Sequence, residues 1–375
     1  MKIYYLSTTA FADTDVTFLH HLTKDNDLTY GVLVPFNNQE YPESSLNEYC
    51  LKYGISSQFF FLKHRRRNPL QLIRLFNVIL SVRKAKPDIV YINDYADIYL
   101  NILFLFFIGK RFAVIGKHDV EIHSGMKDKL FNEIGINILT YKFNNFLTFS
   151  ELQRNILQSK LKNKNVFSIP LPVKDFGPKI NVVNNYDRIR FLFFGNIVKY
   201  KGLDVLLKAI DNLSKRYDNF ELTIAGRAND WEAEYGWIVT NKKILDLHIR
   251  YITNDEIAGF FSNAHYLVLP YRDVTQSGPL MIAYNYNLPV ISSDLEGFRE
   301  YIINGFTGFF FNREDVHSLA QVMELAILRN KEDYDLLVNN VVNYKNEKFH
   351  SVAIAAKYNS LFSDIFNATT KILNE

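Results

Sequence analysis

Short apolar runs alternate along this chain with stretches in which apolar residues recur every third or fourth position. That is the pattern of buried strands separated by amphipathic helices. In the first half, residues 3–6, 29–35, 58–62, 88–93, 112–116, 146–149 and 166–169 read as strands. Strands spaced by helical pattern imply a mostly parallel sheet, because parallel neighbours need a crossover between them. Residues 98–108 form the longest apolar run, too short to cross a bilayer, and predict a buried helix. Around Pro170, Pro172, Gly177 and Pro178, with Asn181, Asn184 and Asn185, all periodicity stops, which marks residues 173–187 as a linker. The pattern then restarts. Residues 190–194 are nearly all apolar and so suit a strand buried on both faces. Leu203, Leu206, Leu207, Ile210 and Leu213 follow at helical spacing, and residues 220–226, 249–253, 266–271 and 289–293 read as further strands. Thr253 to Glu256 has the residues of a capping box. The expectation is two α/β domains, 1–172 and 188–350, each with a doubly wound parallel sheet, followed by a terminal segment 351–375.

Composition narrows the picture. The chain has 375 residues, 48% of them apolar, enough for two cores. A net charge of +3 gives no reason to expect a nucleic-acid partner, and one cysteine, Cys50, excludes a disulfide framework and suits a reducing, cytoplasmic setting. The N-terminal run is interrupted by Ser7, Thr8 and Thr9, so it reads as a first core strand rather than a signal peptide.

Candidate chemistry lies at strand ends. Residues 272–278 form a polar loop ahead of Pro279, well placed to open a helix. A helix start behind Gln276, Ser277 and Gly278 is an anion cradle, since its N–H groups and dipole face outward. Gly195 closes the strand 190–194, and Lys199 and Lys201 follow; two lysines on such a turn can neutralise a diphosphate, a solvated loop being the plainer alternative. His118 and Asp119 follow the strand 112–116, a base with its orienter or a structural contact. His123 lies a few residues on, without the pattern of a zinc site. Asp13-Thr14-Asp15 resembles an Asp-x-Asp metal motif, but its place after the first strand makes Asp15 a helix cap. Residues 63–87 carry eight lysines and arginines without an acid, interleaved with Leu70, Ile73, Leu75, Phe76, Ile79 and Leu80. They predict a basic amphipathic helix that lies on an anionic membrane or packs on the core with solvated cationic ends. No Gly-rich dinucleotide fingerprint or P-loop occurs.

The stretch Phe193-Phe194-Gly195-Asn196-Ile197-Val198-Lys199-Tyr200-Lys201-Gly202, with the loop and helix of 254–308, resembles the retaining glycosyltransferases of family 4. This resemblance covers most of the C-terminal half. It implies the GT-B fold: two Rossmann-like domains facing across a cleft, the first for the acceptor and the second for a nucleoside-diphosphate sugar, with the last helix crossing back to the first domain. It implies metal-independent sugar transfer of hexosyltransferase type with retention, to a glycan or lipid-linked acceptor in surface polysaccharide synthesis, at the inner membrane face. His118, with Asp119, would reach the donor, and Lys201, supported by Lys199, its phosphates. Asn196 stands where many members have Arg. Arg227, Tyr251 and Glu300 fall at donor-binding positions. The two glutamates common in the family are replaced by Val274 and Ile282; Thr275-Gln276-Ser277-Gly278 resembles a subset that uses this loop instead. Against this reading stand a nucleotide-sugar epimerase, a membrane-surface module and, motivated by the missing glutamates, a non-catalytic partner subunit of a glycan assembly complex.

Overall fold

The computed structural model describes residues 1–36, 41–63, 71–93, 97–118, 120, 137–180, 186–274 and 276–374. The chain divides into two compact units, residues 1–172 with 350–375, and residues 173–349.

The first unit holds a seven-stranded sheet of order β3-β2-β1-β4-β5-β6-β7. Its strands are β1 (Lys2–Thr8), β2 (Asp27–Val34), β3 (Ser56–Phe61), β4 (Ile89–Asn93), β5 (Ala113–Lys117), β6 (Asn145–Thr148) and β7 (Asn165–Ser168). Every pairing is parallel. β1 and β4 are buried over nearly their whole length, as expected for strands covered by helices on both faces. The helix Ser351–Asn374 belongs to this unit: Tyr358 stacks on Phe18 at 4.8 Å, and Asn359 accepts from Asn26 at 2.8 Å.

The second unit holds a six-stranded parallel sheet of order β10-β9-β8-β11-β12-β13. Its strands are β8 (Ile189–Phe194), β9 (Phe220–Ala225), β10 (Leu245–His248), β11 (Tyr266–Leu269), β12 (Val290–Ser293) and β13 (Gly308–Phe311). One core joins β8, β9 and β11 to the helices Leu203–Ser214 and Val316–Leu328. In each sheet the order reverses once, between β1 and β4 and between β8 and β11. The carboxyl ends of strands flanking such a reversal diverge and leave a crevice, the usual ligand position in open α/β sheets.

Three expectations needed correcting. The strand placed at 249–253 lies at Leu245–His248, because the polar residues Asp246 and His248 sit on an edge strand that tolerates exposure. β13 had no expected counterpart. The helix Ile98–Phe107 is buried along one face only: Leu100 and Phe104 enter the core, while Phe106 is 75% exposed. Apolar composition all round had pointed to full burial, but a helix lying on a sheet covers one side of itself.

Candidate active site

In the second unit, β8 ends at Phe194 and Gly195 turns the chain with φ +102°, a conformation open to glycine. The backbone enters a 3-10 turn, Lys199–Lys201, and then the helix Leu203–Ser214. Gly202 stands at φ +66°, and a Cβ there would lie 1.9 Å from the Pro270 carbonyl oxygen. A Cβ on Gly226 would lie 2.0 Å from the Gly195 carbonyl oxygen. Glycine therefore lets three strand ends close on one another. Arg272 fixes the turn from outside: its guanidinium donates to the Lys199 carbonyl at 2.7 Å, to both oxygens of Asp204 at 2.9 and 2.8 Å, and to Glu314 at 2.7 Å. Burial alone would push the Asp204 carboxyl up, but Arg272 outweighs it and holds the group below its usual range.

That turn aims Lys201 inward. The residue is 8% exposed, and no hydrogen bond or ion pair holds its ammonium among the described residues. Its Nζ sits above the Tyr271 ring at 5.6 Å and beside Gly195, where a Cβ would approach it to 2.9 Å. Burial pushes Lys201 down to about 8. A buried cation without a counter-charge is costly, and such groups concentrate at functional sites.

The helix Gly278–Asn285 begins beside it. Ser277 caps it, accepting from the Leu280 N–H at 3.4 Å, and Pro279 has no N–H, so Gly278 supplies the donor at this end. Pro279 also borders Gly195. The Tyr271 hydroxyl is buried without a well-aligned hydrogen bond; burial pushes the phenol up and neighbouring Ser277 pulls it partly back. Lys174, which sequence reasoning missed, brings its ammonium to 3.8 Å from where a Gly278 side chain would begin. It lies a hundred positions upstream in the expected linker and carries no local signal. Thus Gly195, Lys201, Tyr271, Ser277, Gly278 and Lys174 converge at the β8/β11 reversal.

The other expected donor residues stand further out. Asn196, Lys199 and Arg227 are exposed on the two adjacent turns, where Ile197 donates to the Arg227 carbonyl at 2.8 Å. Tyr251 is 56% exposed after β10, and Gln276 is half-buried. Glu300 stands at the C-terminal end of the short helix Glu296–Arg299. Val274 and Ile282, which replace the two glutamates common in the resembled family, are buried. Thr275 lies outside the described residues.

In the first unit, His118 follows β5. It lies between Phe11 and Phe149, stacked at 3.8 and 4.2 Å, and its Nε2 meets Asn93 Oδ1 at 2.7 Å. Asn93 ends β4, beside the β1/β4 reversal. Asp119 and residues 121–136, which include His123, lie outside the described residues. Asp15 does not cap a helix: Phe11 occupies the N-cap position of Ala12–Leu22, and the Asp15 carboxylate is buried between the Tyr5 and Tyr30 hydroxyls, each at 2.9 Å. The alternating pattern of β1 and β2 places those tyrosines under the helix. Among the described residues no group of three His, Cys, Asp or Glu could hold a metal.

Comparison with known proteins bears on this arrangement. Residues 188–329 match the model of the family described as Glycosyl transferases group 1. The chain is 22% identical over 284 residues to an uncharacterised glycosyltransferase of Haemophilus influenzae, covering 74% of each chain. It is also 22% identical over 175 residues to the capsular polysaccharide biosynthesis glycosyltransferase CapM of Staphylococcus aureus, covering 46% of this chain and 45% of that one. Anabaena Alr3699/HepE, solved in complex with UDP and glucose, superposes with a TM-score of 0.71 at 13% identity, over 97% of this chain and 100% of the other. The fold is GT-B. The family match spans the second unit's strand ends from β8 to β13, and so includes Gly195, Lys201 and the Ser277 loop.

Proposed function

We propose that this GT-B protein is a glycosyltransferase that takes a nucleoside-diphosphate sugar in its second unit. It passes the sugar to a glycan or lipid-linked acceptor in surface polysaccharide synthesis. The observation that carries the reading is Lys201: a buried ammonium with no counter-charge among the described residues, beside a helix start, at the reversal of a parallel sheet. A diphosphate supplies the missing negative charge. Lys201, Lys174 and the Gly278 N–H then stabilise the leaving diphosphate as the sugar becomes oxocarbenium-like, fixed charge facing developing charge. Protein cations would make a metal unnecessary, and the diphosphate oxygen can accept the acceptor's proton. Transfer with retention, of hexosyltransferase type, is part of this reading. The likeness to HepE, whose structure holds UDP and glucose, and to CapM supports the donor and pathway classes.

The test is thermal stability against UDP, GDP, ADP, CMP and their sugars, with and without EDTA. Ligand that binds the native state raises the midpoint. One nucleoside diphosphate should do so, insensitive to EDTA, and Lys201→Ala should abolish the response. No response from well-folded protein would favour the non-catalytic partner, a reading motivated by the apolar Val274 and Ile282.

Contact with an anionic membrane belongs to the same proposal. The helix Gln71–Ala85 has two apolar faces: Leu75, Val78, Ile79 and Val82 enter the core, while Ile73 is 73% and Leu80 50% exposed. Phe76 meets Phe107 edge-on at 5.5 Å, joining this outer face to exposed Phe106, and Arg74, Arg83 and Lys84 lie on the same helix. Apolar side chains flanked by cations suit a lipid–water boundary. Residues 64–70 of the basic segment lie outside the described residues. No described helix is long and apolar enough to cross a membrane. Co-sedimentation with phosphatidylglycerol vesicles should exceed that with phosphatidylcholine vesicles, fall with salt, and be lost in Ile73→Glu with Phe106→Glu; equal binding to both vesicle types would refute it.

A further inference from the structure

Beneath His118 lies a chain of polar side chains that ends in the interior. His118 Nε2 meets Asn93 Oδ1 at 2.7 Å, and Asn93 Nδ2 donates to Ser7 Oγ at 3.1 Å. Ser7, fully buried, hydrogen-bonds the Asp15 carboxylate, which also accepts from Tyr5 on one oxygen and Tyr30 on the other. The chain has a direction set at its buried end. Ionised Asp15 can only accept, so the single Ser7 proton points to it. Ser7 Oγ is then left as an acceptor, which requires the Asn93 amide nitrogen on its side. The amide oxygen must consequently face His118, and that oxygen accepts only if Nε2 carries a proton.

We propose that Asp15, through Ser7 and Asn93, is a positioning residue that holds neutral His118 in the Nε2–H tautomer, leaving Nδ1 as the ring's proton acceptor. The two flanking aromatic rings fix the ring plane, and the polar chain fixes which nitrogen is the base. The link to sugar transfer rests on the function proposed above; the tautomer itself does not. Among the described residues, the groups that face Asp15 are Ser7 and Tyr5 from β1, Tyr30 from β2, Asp13 on its own helix and Tyr49 of the helix Glu43–Lys52, with Tyr91 and Tyr358 next to Tyr5. None is a cation. Burial raises Asp15 to about 7, outweighing its three hydroxyl donors, so the chain has its stated direction above that pH.

Long-range proton–nitrogen NMR of histidine-labelled protein tests this without substrate. At pH about 9, above the Asp15 value and with imidazoles neutral, the signal lost in His118→Gln should show a protonated Nε2 and an unprotonated Nδ1. Ser7→Ala and Asp15→Asn should each admit the second tautomer. Asn93→Asp should place a carboxylate on Nε2–H and raise the proton affinity of His118 tenfold or more. A wild-type Nδ1–H ring, the unaltered wild-type signature in both folded Ser7→Ala and Asp15→Asn, or an unchanged proton affinity in Asn93→Asp would each overturn the proposal. Should Asp15→Asn fail to fold, Ser7→Ala, which removes one hydroxyl, carries the comparison. Loss of the transferase reading would leave these signals as stated, and their absence would leave nucleotide binding intact, so the two failures are distinguishable.

Discussion

Replacing Lys201 with Met should make the empty protein more stable and at the same time unable to respond to nucleotide. The ammonium is 8% exposed, unpaired among the described residues, and pushed by burial from 10.5 to about 8. A fall of that size corresponds to about 3 kcal/mol of native-state destabilisation while the group is charged in both states. The sign follows from linkage. Between pH 8 and 10.5 the unfolded chain holds more of this proton than the native one, so wild-type stability rises with pH across that window. The cost is fully present below about 8 and relieved above 10.5. Met keeps the apolar stem and removes the charge, so at neutral pH its midpoint should rise by several degrees, at roughly 2–4 °C per kcal/mol for a unit of this size. Its stability should lack the rise between pH 8 and 10.5. Bound diphosphate restores the proton's partner, so wild-type affinity should weaken by up to about tenfold per pH unit above 8. Calorimetric unfolding of both proteins from neutral pH to 10.5, with and without the nucleoside diphosphate that binds, reads all three effects. A Met variant that is less stable at neutral pH yet keeps the full nucleotide shift would refute the reasoning, as would affinity that stays flat through pH 8.

Other perturbations follow from the same geometry. Gly202→Ala should cost more than the roughly 1–2 kcal/mol of a left-handed non-glycine residue, because its Cβ would meet the Pro270 carbonyl at 1.9 Å; urea unfolding should show a lower midpoint with unchanged slope. Arg272→Ala releases Asp204, Glu314 and the Lys199 carbonyl together, and should cost about 2 kcal/mol while weakening nucleotide binding through the loosened turn. Asp204 is held low by Arg272, so this pair stabilises above the usual carboxylate range; the gap between wild type and Arg272→Ala should close as pH falls below about 4. Val274→Glu would bury an unpaired carboxylate in an apolar site, and should destabilise by more than about 2 kcal/mol in thermal melts instead of creating a functional acid.

The sequence determined the inner strands, because burial on both faces of a parallel sheet demands the unbroken apolar runs of β4 and β8. It also located Gly195, His118 and the Ser277 loop, since turn residues, a helix cap and a Pro near a helix start announce themselves locally. Edge strands were less legible: β10 carries Asp246 and His248, and its period is lost to solvent. Tertiary structure decided the rest by acting between residues distant in sequence. Whether Lys201 is a solvated loop lysine or a buried cation depends on Tyr271 and Pro270, neither of which its own neighbourhood specifies. Lys174 reaches the helix start only because the chain passes it there. Asp15 read as a helix cap because caps are local; its true partners, Tyr5 and Tyr30, come from two different strands. Hydrophobic period reports which face of an element is buried, whereas charge compensation depends on what lies opposite that face, and only the folded chain sets that distance.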